Sequence, residues 1–272
     1  MAESEARQRP IGIFDSGIGG LTVAQSITKL LPNEQLIYFG DTAHLPYGDK
    51  STAAIQAYAV KICELLVKQK CKVILIACNS ASAAAYDLVK EYVGSKAKAL
   101  NVIDPVVQYI GERYPGKTIG LIGTKQTVNS NVYRKKIDDL NKDINLHSVP
   151  TPLLAPMIEE GFFNNNISES IIQAYLTDPD LQQIEALILG CTHYPLIKNQ
   201  IRNFYHDKVD IVDASQIVAQ HVKEFLDQQQ LAAQTLTKDH RFYVSDFTRS
   251  FEAATQIFFE REVQLEHYPL WE

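Results

Sequence analysis

The sequence predicts an α/β fold that is built twice. Short aliphatic runs alternate with longer helix-period runs across nearly all of the 272 residues. The aliphatic runs are continuous in Val, Ile and Leu, as parallel strands covered on both faces require. Two stretches then recur in the same order. "IGIFDSG" at 11–17 overlays "IGLIGTK" at 119–125, and "VILIACNS" at 73–80 overlays "ALILGCTH" at 186–193, with offsets of 108 and 113 residues.

The elements follow in order. "MAESEARQRP" at 1–10 is polar, has no apolar run behind it, and reads as a frayed tail rather than a signal peptide. "IGIFD" at 11–15 is the first strand, with a helix at 20–31 and a strand at 35–40 ("QLIYFG"). Over 51–69 the helical pattern is clearest: Ser51 caps it, and Ile55, Tyr58, Ile62, Leu65 and Leu66 form one apolar stripe. Strands at 73–77, 99–103, 118–123, 145–149, 186–190, 209–212, 241–245 and about 263–267 alternate with helices at 82–93, 105–114, 127–141, 168–177, 195–205, 214–229 and 249–260. The pattern after 209 has no counterpart in the repeat, so that segment is expected to return and complete the first sheet. Hence the expected domains are 1–100 plus 210–272, and 101–209.

Composition narrows the function. A net charge of −6 without a basic stripe argues against nucleic acid, and no apolar stretch approaches a membrane span. The expected location is the cytoplasm. Four cysteines stand at 63, 71, 78 and 191, with no CxxC pair, so neither a zinc site nor a disulfide framework is indicated.

Cys78 and Cys191 each follow an aliphatic strand and precede an expected helix, where free N–H groups favour a thiolate. A modest downward shift would hold one thiol and one thiolate poised for proton transfer. Their equivalent repeat positions, each followed by polar residues (Asn79-Ser80, Thr192-His193), set them apart from Cys63 and Cys71, which read as structural. His193 is the histidine beside a candidate thiol. Asp15-Ser16 ends the first strand, and "GIGG" at 17–20 bares backbone N–H groups suited to an anion, without a nucleotide fingerprint. Asp15 reads equally as an orienting base or a turn residue. In the second half Thr124 and Thr127 occupy the matching turn, and "LPYG" at 45–48 offers backbone and phenol donors from Pro46, Tyr47 and Gly48. Periodicity leaves Glu159 facing either solvent or the cleft.

Together "DSGIGGL" (15–21), "GDTAHLPYG" (40–48), "ACNSASA" (77–83), "IGT" (122–124), "EEG" (159–161) and "GCTHYPL" (190–196) resemble the glutamate racemase family. The resemblance runs from about 11 to 262. It implies two similar parallel-sheet domains with the active site in the cleft between them, and a reaction with no cofactor and no metal. It further implies interconversion of L- and D-glutamate by two cysteines on opposite faces of the α-carbon, supplying D-glutamate for peptidoglycan. By motif, Cys78 takes the proton from D-glutamate and Cys191 from L-glutamate. Asp15 and His193 assist them, and Glu159 is a further cleft carboxylate. Ser16, Pro46, Tyr47, Gly48, Asn79, Ser80, Thr124, Thr127 and Thr192 match substrate contacts, as Asp15 and His193 also do. Ser80 departs from the commoner threonine, keeping the hydroxyl and losing a methyl. A homodimer is expected, with neither a nucleic-acid nor a membrane partner.

Three rival readings stay open at this level. Aspartate racemase shares the two-thiol logic and differs in substrate. A Cys191-His193 hydrolase predicts that Cys78→Ala retains much activity. A non-catalytic binder of acidic amino acids predicts binding without exchange of the α-proton.

Overall fold

The computed structural model describes residues 2–236, 238–247, 255–259 and 263–272. Ten parallel strands form two sheets among these residues. β1 (Ile11–Asp15), β2 (Leu36–Gly40), β3 (Val73–Ile76), β4 (Lys98–Asn101), β9 (Arg241–Val244) and β10 (Leu265–His267) form one, in the order β10-β9-β2-β1-β3-β4. β5 (Thr118–Gly123), β6 (Asn145–Pro150), β7 (Ala186–Gly190) and β8 (Asp210–Val212) form the other, in the order β6-β5-β7-β8. The order 2-1-3-4 in the first sheet is thus repeated as 6-5-7-8 in the second. β9 and β10 extend the first sheet beyond β2, which is the expected return of the last segment.

Helices cover both faces of the first sheet because its residues alternate. Ile11, Ile13, Tyr38 and Leu75 pack into one core, whereas Phe14, Phe39, Ile74 and Ile76 pack into another. The second core is completed by α3 (Thr52–Lys68) and α4 (Asn79–Val93). The first core continues without a break through Ile119, Leu121 and Leu187 of the second sheet. Joining the two halves in this way removes more apolar surface from water than either half could alone. α11 (Ala214–Gln228) packs on α2 (Leu21–Leu30), α5 (Ile103–Arg113) and β7, which ties the halves together.

Several expectations need correction. Residues 2–7 form a helix, α1 (Ala2–Arg7), rather than a frayed tail. The boundary expected near 209, within several residues, is refined by β8, which pairs in parallel with β7 through Val212. The helix expected at 127–141 is two, α6 (Lys125–Asn129) and α7 (Val132–Asp138), divided by Asn131 in the left-handed conformation at φ 55°. At 195–205 a 3-10 turn (Tyr194–Ile197) containing Pro195 precedes α10 (Lys198–Phe204). The helix expected at 168–177 is present as α9 (Asn166–Leu176), and a short helix, α8 (Leu154–Glu159), ends at Glu159. The expected helix at 249–260 falls partly outside the described residues, of which 255–259 are helical. No described helix is long and apolar enough to cross a membrane.

Candidate active site

The carboxyl ends of the equivalent strands β1, β3, β5 and β7 carry the candidate residues. Asp15 closes β1 and is fully buried; its Oδ2 accepts from the N–H groups of Gly17 at 3.2 Å and Gly20 at 3.0 Å. The glycine turn therefore does bind an anion, and that anion is Asp15 itself. Burial raises the Asp15 carboxyl above its ordinary value, and the charge of His193 with the two N–H bonds partly opposes this. A side chain at Gly19 could not be accommodated, because its Cβ would lie 2.5 Å from the His193 ring and 2.6 Å from Thr192 Oγ1. The first turn of one half thus lies directly against the cysteine loop of the other. Thr22 Oγ1 donates to the Thr192 carbonyl at 3.2 Å, and Thr192 Oγ1 to Asp15 Oδ1 at 3.5 Å.

Cys78 is the N-cap of α4, with the Ala81 N–H 3.5 Å from its sulfur and Ser16 Oγ 3.7 Å away. The helix N-terminus does not win here. Burial first, then the nearby Asp15 charge, push the Cys78 thiol up to about 12, opposite to the expected downward shift. For Cys191 the helix itself is missing, since the 3-10 turn at Tyr194–Ile197 intervenes before α10. A histidine supplies positive charge instead: His193 Nδ1 lies 3.5 Å from Cys191 Sγ, and Nε2 lies 2.8 Å from Glu159 Oε1. The Nε2–H does not point along the line to that oxygen, so the contact is an ion pair rather than an aligned hydrogen bond. Burial lowers the His193 pKa, but Glu159 and Cys191 outweigh it, so the imidazole titrates well above its ordinary value. Phe258 packs edge-on to its ring at 5.4 Å. Glu159, which periodicity left open, faces the cleft.

A hydroxyl chain links the halves beside Cys78. Ser80 Oγ lies 2.8 Å from Thr124 Oγ1 and 3.4 Å from Thr127 Oγ1. Thr124 caps α6 by accepting the Thr127 N–H at 3.1 Å. Gly48 sits against this threonine, where an added Cβ would fall 2.7 Å from Thr124 Cβ. Pro46 and Gly48 are therefore at the cleft, with a backbone that reaches the second half. The Tyr47 phenol is not an available donor as expected: it is buried and donates to Asp41 Oδ2 at 2.6 Å. Asn79 Oδ1 accepts from the buried Tyr133 hydroxyl at 2.8 Å. Tyr133 and Tyr38, whose hydroxyl donates to the Gly17 carbonyl at 2.8 Å, escaped the sequence reading. They lie in a helix and a strand without a motif. Asp41 had a signal, since it stands inside "GDTAHLPYG".

Residues 11–222 match the Asp/Glu/Hydantoin racemase family. The chain belongs to this family. The glutamate racemase of Syntrophus aciditrophicus is 36% identical over 264 residues, covering 97% of this chain and 97% of that one. Among solved structures, glutamate racemase from Francisella tularensis in complex with D-glutamate is 40% identical, with a TM-score of 0.91 over 97% of this chain and 99% of that one. The RacE1 isoform of Bacillus anthracis glutamate racemase superposes with the same TM-score at 30% identity, over 97% of this chain and 99% of that one. A racemase of this family acts at the stereocentre of its substrate, and the thiols at the ends of β3 and β7 lie where the two sheets of this chain meet.

Proposed function

We propose that this protein interconverts L- and D-glutamate without a cofactor, by proton transfer between two cysteines. The observation that carries the reading is the pair of buried thiols at equivalent strand ends, each with its own acidic or basic partner. An α-proton beside a carboxylate is very weakly acidic, so the site must supply positioned bases and fixed donors. In this reading Cys78 is a thiol poised to donate, with Asp15 beside it. Cys191 faces the His193 cation, which stabilises negative charge on its sulfur, as a base requires. L-glutamate would thus lose its proton to Cys191 and gain one from Cys78; the reverse direction exchanges the roles. Glu159 keeps His193 charged. Ser16, Asn79, Ser80, Thr124, Thr127 and Thr192, with the backbone of Pro46, Tyr47 and Gly48, hold the substrate.

The physiological role that fits is supply of D-glutamate for peptidoglycan, in the cytoplasm, by a homodimer. The chain divides into 1–100 with the residues beyond about 213, and 101–212. The test is α-deuterium uptake in D₂O with L-glutamate, D-glutamate and aspartate. Uptake into both glutamate enantiomers, well above that for aspartate, is expected. Folded protein that leaves the α-position of glutamate undeuterated refutes the proposal, and faster turnover of aspartate replaces it with the aspartate reading.

A further inference from the structure

The loop that carries Pro46, Tyr47 and Gly48 is held by a buried carboxylate outside the thiol site. Asp41 follows β2 and is fully buried. Four side chains converge on its two oxygens. The Tyr47 hydroxyl donates at 2.6 Å, Ser245 Oγ at 2.8 Å and Trp271 Nε1 at 2.8 Å, while His44 Nδ1 lies 3.0 and 3.1 Å from the pair. Its own N–H donates to the Asp15 carbonyl at 3.0 Å, so the hub is one backbone hydrogen bond from the site. Rings close over it: His44 stacks on Tyr58 at 4.0 Å, and Trp271 meets the edges of both, at 4.5 Å from His44 and 5.6 Å from Tyr58.

Burying a carboxylate costs much free energy unless every acceptor position is used. An apolar plug would fill the same space at lower cost but would fix no direction. The four donors come from three places: the loop itself (His44, Tyr47), the residue after β9 (Ser245) and the segment after β10 (Trp271). Such a hub sets where the loop backbone lies relative to Thr124 across the cleft. We infer that Asp41 and Trp271 are positioning residues for the substrate loop, so that the segment after β10 tunes the affinity for substrate. This inference rests on the proposal that Pro46, Tyr47 and Gly48 contact glutamate.

Trp271 is the chain's one tryptophan, so tryptophan fluorescence reports on this hub and the rings around it. In Trp271→Phe the ring survives and the N–H to Asp41 is lost. The expected result is a KM for glutamate raised at least threefold in both directions, with kcat within twofold of wild type and a melting temperature lowered by only a few degrees, because three donors to Asp41 remain. A KM within 1.5-fold of wild type overturns the inference. In the wild type, titration with D-glutamate is expected to change the Trp271 emission saturably; emission indifferent to saturating D-glutamate also overturns it. Asp41→Asn should raise KM further, and Trp271→Phe decides alone if that variant does not fold. Wild-type α-exchange is measured first. Exchange by the wild type together with an unchanged Trp271→Phe removes the positioning role and leaves the racemase reading intact.

Discussion

At the residue scale the two cysteines are unlike, although the repeat makes them equivalent in position. Cys78 is held as a thiol by burial and by Asp15, whereas Cys191 faces an imidazole that titrates well above its ordinary value. The thiolate fraction of a group titrating near 12 rises about tenfold per pH unit below that value. Alkylation of Cys78 in the free protein, followed by mass spectrometry, is therefore expected to accelerate steadily from pH 7 to 10; a plateau near pH 8 would contradict the assignment. The sign for stability follows. A thiol whose folded pKa is raised stabilises the fold fully below its ordinary value of 9.0, and that contribution is lost as pH climbs towards 12. His193 offers a second test. Glu159→Gln removes its anionic partner while leaving it buried, so the imidazole should titrate lower by NMR, and L-to-D turnover should fall at least tenfold. An unmoved His193 titration would show that Glu159 does not hold the charge. The identity of these residues was legible in the sequence, because they sit at strand ends inside motifs. Their protonation was not, because it depends on burial and on partners brought in from other elements, such as Asp15 beside Cys78 and Glu159 beside His193.

Elements were legible where one short-range rule governed them. Continuous aliphatic strands and the Ser51-capped α3 emerged within a residue or two, since period and capping are local. The divided helix at Asn131 and the 3-10 turn after Cys191 were not, because both breaks serve tertiary contacts. The 3-10 turn brings Tyr194 OH within 2.7 Å of Thr151, and the helix after Asn131 carries Tyr133 to Asn79. A buried ion pair illustrates how distant elements are joined. Lys72, just before β3, lies 2.6 Å from Glu34 and donates to the carbonyls of Arg7 and Leu231, while Glu34 accepts the Ala233 N–H at 2.7 Å. The pair fastens the end of α1 and the connection after α11 to the base of the first sheet. Lys72→Met should cost about 3–5 kcal/mol in urea denaturation, because it strands a buried carboxylate. Glu34→Leu with Lys72→Met should recover most of that loss; a double variant as unstable as the single one would argue that packing, not charge, is at stake.

At the scale of the whole molecule, one strand order used twice explains why the thiols occupy matching positions. Sheets ordered 2-1-3-4 and 6-5-7-8 place β3 and β7 identically within their halves, so Cys78 and Cys191 leave equivalent ends. The continuous apolar core then fixes the halves against each other. The repeat was visible from two aligned stretches, and the return of β9 and β10 from the lack of a counterpart after 209. The final boundary could be placed only within several residues, because β8 is three residues long, too short to announce which sheet it joins. A second consequence is mutational. Cys78→Ser and Cys191→Ser should each lose racemisation by at least a hundredfold while keeping the melting temperature, whereas a Cys-His hydrolase would tolerate the first change.

The most direct test follows solvent deuterium during a single approach to equilibrium from L-glutamate in D₂O. Two opposed bases predict that the D-glutamate formed early carries α-deuterium nearly quantitatively, while the remaining L-glutamate stays protonated. D-glutamate that retains the original α-proton, or L-glutamate that deuterates faster than it inverts, would mean that one group serves both faces and would contradict the two-cysteine mechanism.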